Sequence, residues 1–201
     1  MLLLSIDTSD CFISVALVDE TKVWASIQKQ MERGQAEQLF PMIDETFKKA
    51  GLDISKTEGI AVSTGPGSFT GIRIGLAAAK GLGMALGIPV MGVSCFEMWQ
   101  YGIKELVKVI LDTRRGDFYV QSFDAHGRGD LPKLSSYEDL VKDLPFTAVG
   151  NATDEFKENA DCTVLDIQPT FAVSVARVAL CRLNAPQKAE PLYLREADVS
   201  L

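Results

Sequence analysis

Residues 5–19 read SIDTSDCFISVALVD, and residues 110–124 read ILDTRRGDFYVQSFD. With one gap allowed, Asp7 falls opposite Asp112, Thr8 opposite Thr113, Phe12 opposite Phe118 and Asp19 opposite Asp124. Each stretch has the alternation of a strand, a polar turn and a second strand. Working outward, periodicity predicts strands at 2–7, 12–18, 23–27, 59–63 and 88–93, helices at 35–50 and 70–86, and a third helix capped by Ser94. The second half predicts strands at 107–112, 118–123, near Leu134, 146–149 and 163–167, with helices at 137–142, 154–159 and 171–183. The order βββαβα(βα) occurs twice, and a matched pair of such halves is a duplicated domain. The fold class is therefore α/β, a duplicated actin-like ATPase or ribonuclease H-like architecture, with domains at 1–103 and 104–201. The second half is trimmed, because Asp7 to Gly65 spans 58 residues and Asp112 to the matching Gly150 only 38.

The chain of 201 residues is 47% hydrophobic, 23% charged and 8% aromatic, the profile of a globular protein with its own core. A net charge of -7 repels phosphate backbones, so the chain is not expected to bind nucleic acid by itself. Cys11, Cys95, Cys162 and Cys181 never reach metal-knuckle or CxxC spacing, which fits a reducing cytosol. MLLLSID lacks a basic leader and a cleavage site, and no uncharged run reaches ~20 residues, so a cytoplasmic protein without a membrane span is expected. A single histidine, His126 in a turn-like stretch, removes His-pair zinc sites and disfavours Ser-His-Asp chemistry.

The most specific string is STGPGSFTGIRIG at 63–75, between a strand and a helix. It is neither a P-loop nor a GxGxxG fingerprint. Gly65 and Gly67 admit two readings, a tight turn packed on a neighbour or a vestigial anion or nucleotide cleft using the helix amides. Asp7 and Asp112 likewise read either as paired carboxylates for metal and phosphate or as turn caps, and Arg114 and Arg115 beside Asp112 form a small basic spot. The helix after the loop carries one stripe of small residues at Gly71, Gly75, Ala79, Gly83 and Gly87 and a second at Ala77, Gly81 and Ala85. Its glycines at 75, 81 and 83 each sacrifice about 1 kcal/mol of helix propensity, which close approach must offset. One stripe can press on a sheet; two stripes suggest that a second helix, from another chain, also comes near. The expected partner-binding residues are Glu37 and Phe40 on the first helix with Arg73, Gly75, Leu76, Ala79 and Gly83 on the second. Pro41 predicts a kink or a late start in the first helix.

IDTS at 6–9, GPGSFTGIRIGLAAAKGLGMALGIPVMGV at 65–93, LDTRRGDFY at 111–119 and PLYLR at 191–195 together resemble the bacterial TsaB family, also called YeaZ. That resemblance implies a non-catalytic, metal-free paralogue of TsaD. With TsaD and the ATPase TsaE it makes N6-threonylcarbamoyladenosine (t6A) on tRNA. The implied partners are TsaD, as a heterodimer through the helical face of the N-terminal domain, and TsaE, with a homodimer when alone and tRNA met only through the complex. No cofactor is implied. Where TsaD-like proteins carry two metal-binding histidines four apart, this chain has Cys95 and Trp99, and tryptophan cannot ligate a metal. Relatives often have histidine where Gln35 stands. The rivals are an ATPase or kinase holding magnesium on Asp7 and Asp112, and a glycoprotease-like hydrolase, for which no catalytic constellation is visible.

Overall fold

A computed structural model describes residues 1–31 and 33–195. It divides into two compact units, Met1–Met98 with Pro169–Pro191, and Trp99–Gln168 with, among the described residues, 192–195.

In the first unit, β1 (Leu3–Asp7), β2 (Phe12–Val18) and β3 (Val23–Gln30) form an antiparallel meander, and β4 (Gly59–Ser63) and β5 (Val90–Val93) add in parallel beside β1. Strict alternation divides β1 and β2 between two faces. Leu4, Ile6, Ile13, Val15 and Leu17 point into a core completed by Leu39, Met42, Ile43 and Phe47 of α1 (Gln35–Ala50) and by Ile72, Leu76 and Ala79 of α2 (Phe69–Leu86). Ser5, Ser14, Ala16 and Val18 point the other way, onto α5 (Phe171–Leu180). There Ala16 and Val18 meet Ala172 and Ala176, the Ser5 hydroxyl donates to the Ala172 carbonyl at 2.5 Å, and the Ala172 N–H donates to Ser14 Oγ at 3.1 Å.

This packing corrects the expected boundary. The chain leaves the first unit at Met98, within α3 (Cys95–Gln100), and returns at Pro169, because α5 packs on the small, polar second face of β1 and β2. A two-residue strand, β11 (Gln187–Lys188), too short to carry a sequence pattern, then pairs antiparallel with β5. Its approach requires Gly92, where an added Cβ would lie 2.3 Å from the Lys188 carbonyl. Pro41 neither delays nor ends α1, which runs unbroken from Gln35. Both Pro41 and Glu37, whose carbonyl loses its helical donor, are exposed, so water can satisfy that carbonyl.

The second unit repeats the topology. β6 (Val107–Asp112), β7 (Phe118–Phe123) and β8 (Lys133–Ser135) form the meander, with β9 (Phe146–Val149) and β10 (Cys162–Val164) parallel beyond β6. Sheet orders β5-β4-β1-β2-β3 and β10-β9-β6-β7-β8 are the same order written twice. The trimming falls on the helices. The six-residue α4 (Tyr137–Lys142) stands where the first unit has sixteen-residue α1, and a single 3-10 turn at Asp154–Phe156 replaces the helix expected over 154–159. Phe156 of that turn is fully buried against Phe118, Tyr137 and Phe146, with ring centroids 5.1–6.0 Å apart, so one aromatic anchor does the work of a helix face.

Candidate functional site

β1 ends in Asp7, and the TSD turn that follows is pressed against the glycine-rich loop between β4 and α2. The Thr8 hydroxyl donates to the Gly71 carbonyl at 2.7 Å, and the Ser68 N–H donates to the Ser9 carbonyl at 2.7 Å. A Cβ on Gly67 would lie 2.2 Å from the Ser9 carbonyl oxygen, and one on Gly71 2.0 Å from that of Thr8. Gly65 sits at φ 98°, a backbone conformation that favours glycine. Ser68 caps α2 by accepting from the Gly71 N–H. The glycine-rich loop is a turn packed on its neighbour: the space beside Gly67 and Gly71 is filled by the protein's own carbonyls.

Asp7 is fully buried. Its Oδ1 accepts from the Ser9 N–H at 3.2 Å and the Ser9 hydroxyl at 2.6 Å, while Oδ2 and the neighbouring Ser63 Oγ each lack a well-formed hydrogen bond. Burial pushes the Asp7 carboxyl above the usual aspartate range, against the opposing pull of the Ser63 and Ser9 hydroxyls. Next to this node, the Cys95 N–H donates to the Gly65 carbonyl at 2.7 Å, and burial together with the Asp7 carboxyl pushes the Cys95 thiol upward. Cys95 and Trp99 are both buried. Ser94 and Glu97 form a capping box at the start of α3, and Arg182 bonds to the Glu97 carboxylate. A protonated thiol and an indole are not a donor set that fits a metal ion. Among the described residues, no group of three or more His, Cys, Asp and Glu side chains is placed to hold one.

Asp112 ends β6 as Asp7 ends β1, but it is exposed. Its Oδ1 accepts from the Arg114 N–H at 2.6 Å and its own N–H donates to Asn151 Oδ1 at 2.9 Å, so it caps the turn. Arg114 takes φ 59°, and both it and Arg115 are exposed on that turn. Thr113 and Arg195 both bond to Asp117 of the same turn. The two aspartates thus occupy equivalent places in different units with opposite environments.

The helical face needs the largest correction. Glu37, Phe40 and Arg73 are exposed, as expected of partner-binding residues. Gly75, Leu76, Ala79 and Gly83 are buried in the chain's own core. A Cβ on Gly75 would lie 2.6 Å from Thr8 Oγ1, and one on Gly83 2.3 Å from Val90 Cγ2, so this stripe is the one that presses on the sheet. The other stripe, Ala77, Gly81 and Ala85, is exposed, with nothing within 4 Å of a Cβ placed on Gly81. Around it lie Met84, 87% exposed, and Phe69, whose ring carries the Arg73 guanidinium at 3.6 Å. The sequence held the signal that separates the stripes: Ala77, Gly81 and Ala85 share a helical face with Arg73, whereas Gly75, Ala79 and Gly83 share one with Ile72. Gln35 is part of the scaffold, donating through Nε2 to the Asp10 carbonyl at 2.9 Å.

Two sheets that share a five-strand order, with β11 added at the edge of the first and the first strand of each ending in aspartate, define the actin-like ATPase fold class; solved structures of that class superpose with TM-scores of 0.55 and 0.54 at 14% and 12% identity. Residues 27–130 match the family described as TsaD, tRNA N6-adenosine threonylcarbamoyltransferase. The chain is 29% identical to the tRNA threonylcarbamoyladenosine biosynthesis protein TsaB of Buchnera aphidicola subsp. Baizongia pistaciae, over 96% of this chain and 98% of that one. It is 32% identical to the TsaB of Buchnera aphidicola subsp. Schizaphis graminum, over 71% of this chain and 74% of that one. YeaZ from Pseudomonas aeruginosa superposes at TM-score 0.78 with 25% identity, covering 96% of this chain and 99% of that one. The chain belongs to the TsaB (YeaZ) family.

Proposed function

We propose that this chain is a non-catalytic, cytoplasmic scaffold subunit of the t6A modification machinery, binding and activating TsaD and working alongside TsaE. Family membership gives the pathway. The observation that carries the binding role is the exposed ridge of α2, where Ala77, Gly81 and Ala85 stand open to solvent in line with Phe69 and Arg73 and beside Met84, with Glu37 and Phe40 exposed on α1. Three small residues at four-residue spacing let a second helix approach closely, and exposed apolar side chains around them gain by being covered. The buried Asp7, the carbonyl-filled glycine loop and the Cys95/Trp99 pair support an absence of chemistry in the chain itself. We read Arg114, Arg115 and Asp112 as a structural turn.

The test is reconstitution of tRNA modification from TsaD, TsaE, a threonylcarbamoyl-adenylate synthase and tRNA, with and without this chain. Omission is expected to lower modification at least tenfold. Gly81→Arg, on the open ridge, is expected to weaken association with TsaD at least tenfold, about 1.4 kcal/mol, in calorimetry or size-exclusion chromatography, with the fold intact. Unchanged association of Gly81→Arg refutes the surface. ATP turnover by the isolated chain at an enzyme-like rate, abolished by Asp7→Asn, refutes the scaffold reading.

A further inference from the structure

The Asp7 node is a built polar site that the scaffold role does not use. Asp7 is the last residue of a central strand, with β2 on one side and β4 on the other, and no part of it reaches solvent. Oδ1 is taken twice by Ser9, and Oδ2 and Ser63 Oγ, both fully buried, are left without well-formed bonds. The parallel register that sets Ile6 beside Val62 brings the following residues, Asp7 and Ser63, to the same end of the sheet. The charge that acts on Asp7 from its own turn is Asp10, of the same sign; from α3 it faces the Cys95 thiol, which burial keeps protonated.

We infer that Asp7 serves this fold as a neutral carboxylic acid whose proton, on Oδ2, is donated to Ser63 Oγ, making the side chain a permanent internal strut between β1, the TSD turn and β4 instead of a cation ligand. One proton accounts for both unpartnered oxygens. A Ser63 hydroxyl donating to an ionised Oδ2 would satisfy the same two atoms, but it would leave a full charge where no water reaches and where Asp10 repels it. The two Ser9 donors favour the anion, yet both act on Oδ1 and are equally available to the carbonyl oxygen of the acid. A strand-end acid of this fold loses its capacity to hold a cation once it is sealed in this way. The chain then cannot regain that chemistry without opening the contact between the TSD turn and the glycine-rich loop.

The experiment uses the full chain labelled with 13C at the aspartate carboxyl carbon, followed by NMR between pH 5 and 7. One resonance, absent in Asp7→Asn, is expected at the protonated-acid position and unmoved across that range; a full set of ionised carboxyls at pH 7 overturns the inference. Should Asp7→Asn fail to fold, the same resonance is assigned by its displacement in Ser63→Ala. Asn keeps both a carbonyl acceptor and a donor in the same shape, so the melting temperature of Asp7→Asn is expected within about 2 °C of the parent near pH 4 and above the parent at pH 7, where the parent must take up a proton to fold, with Asp7→Ala at least ~4 °C below Asp7→Asn at either pH. Equal losses in the two variants, or a magnesium-dependent rise in the parent that Asp7→Asn abolishes, overturn it. These readouts are independent of TsaD binding, so their failure and that of the scaffold reading are distinguishable.

Discussion

Replacing glycine with alanine at two places in α2 is expected to move stability in opposite directions. At Gly81 an added methyl meets nothing within 4 Å. The variant should gain about 1 kcal/mol of helix propensity and, at ~2–4 °C per kcal/mol for a chain of this size, melt about 2–4 °C higher. At Gly71 the same methyl would lie 2.0 Å from the Thr8 carbonyl oxygen. Relief requires helix and turn to part by roughly 1 Å, which stretches the Thr8 hydroxyl bond to Gly71 and the Ser68 N–H bond to Ser9, both now 2.7 Å. Two bonds at about 1 kcal/mol each, with about 1–3 kcal/mol of overpacking, less about 1 kcal/mol of helix gain, leave a net loss of ~2–4 kcal/mol. That corresponds to a melting temperature about 4–16 °C lower. Thermal and urea denaturation followed by circular dichroism reads both variants at protein concentrations where the chain is monomeric. A Gly71→Ala protein as stable as the parent would show that the turn is not wedged against the helix, and a less stable Gly81→Ala would show that the ridge is already covered in the free chain.

Three further outcomes follow from the same geometry. Glu97→Ala removes the anionic partner of Arg182, whose other terminal nitrogen is already buried without a bond, and should cost about 2–4 kcal/mol in urea denaturation, with Glu97→Gln recovering part of it. In the β2–β3 hairpin, Asp19 accepts from the Thr21 hydroxyl and backbone N–H, the Lys22 N–H and the Trp24 indole, which hold its carboxyl well below the usual range. Its stabilising contribution is therefore present at neutral pH and lost as pH falls through that lowered value, and Trp24 fluorescence should distinguish Asp19→Asn from the parent at pH 7 but not in strong acid. Asp7 has the opposite sign: with a raised folded value, its proton stabilises below the ordinary aspartate value near 4 and the benefit shrinks as pH rises above it. The melting temperature of the parent minus that of Asp7→Asn should therefore fall with rising pH, and a difference that grows with pH contradicts a buried acid.

The fold was legible because each half carries period-two strands between clear helix signals, and because Asp7–Thr8 and Asp112–Thr113 mark the same turn twice. What the sequence concealed were non-local contacts. Nothing in residues 171–180 says that their small face fits Ala16 and Val18 in preference to the sheet nearer in sequence. The short turn at Phe156 replaced a helix because one buried ring closed the core, a tertiary effect that local periodicity does not encode. The candidate site was half legible. Two small stripes were visible, but assigning the outward one required weighing Arg73 against Ile72 as markers of face, and glycine content alone pointed to the wrong side. The seal around Asp7 was invisible, since a strand-end aspartate reads the same whether it faces water or Ser63.

The return of the chain at Pro169 also bears on how this protein is made. While a ribosome is still synthesising residues 99–168, the meander and its two long helices can pair, but one surface of β1 and β2 stays bare until Ala172 and Ala176 have emerged. Completion of the first unit thus waits for synthesis of the segment from Pro169 to Pro191, and a chain cut short before Pro169 would present Ala16, Val18 and an unbonded Ser5 to whatever quality-control factors survey unfinished proteins.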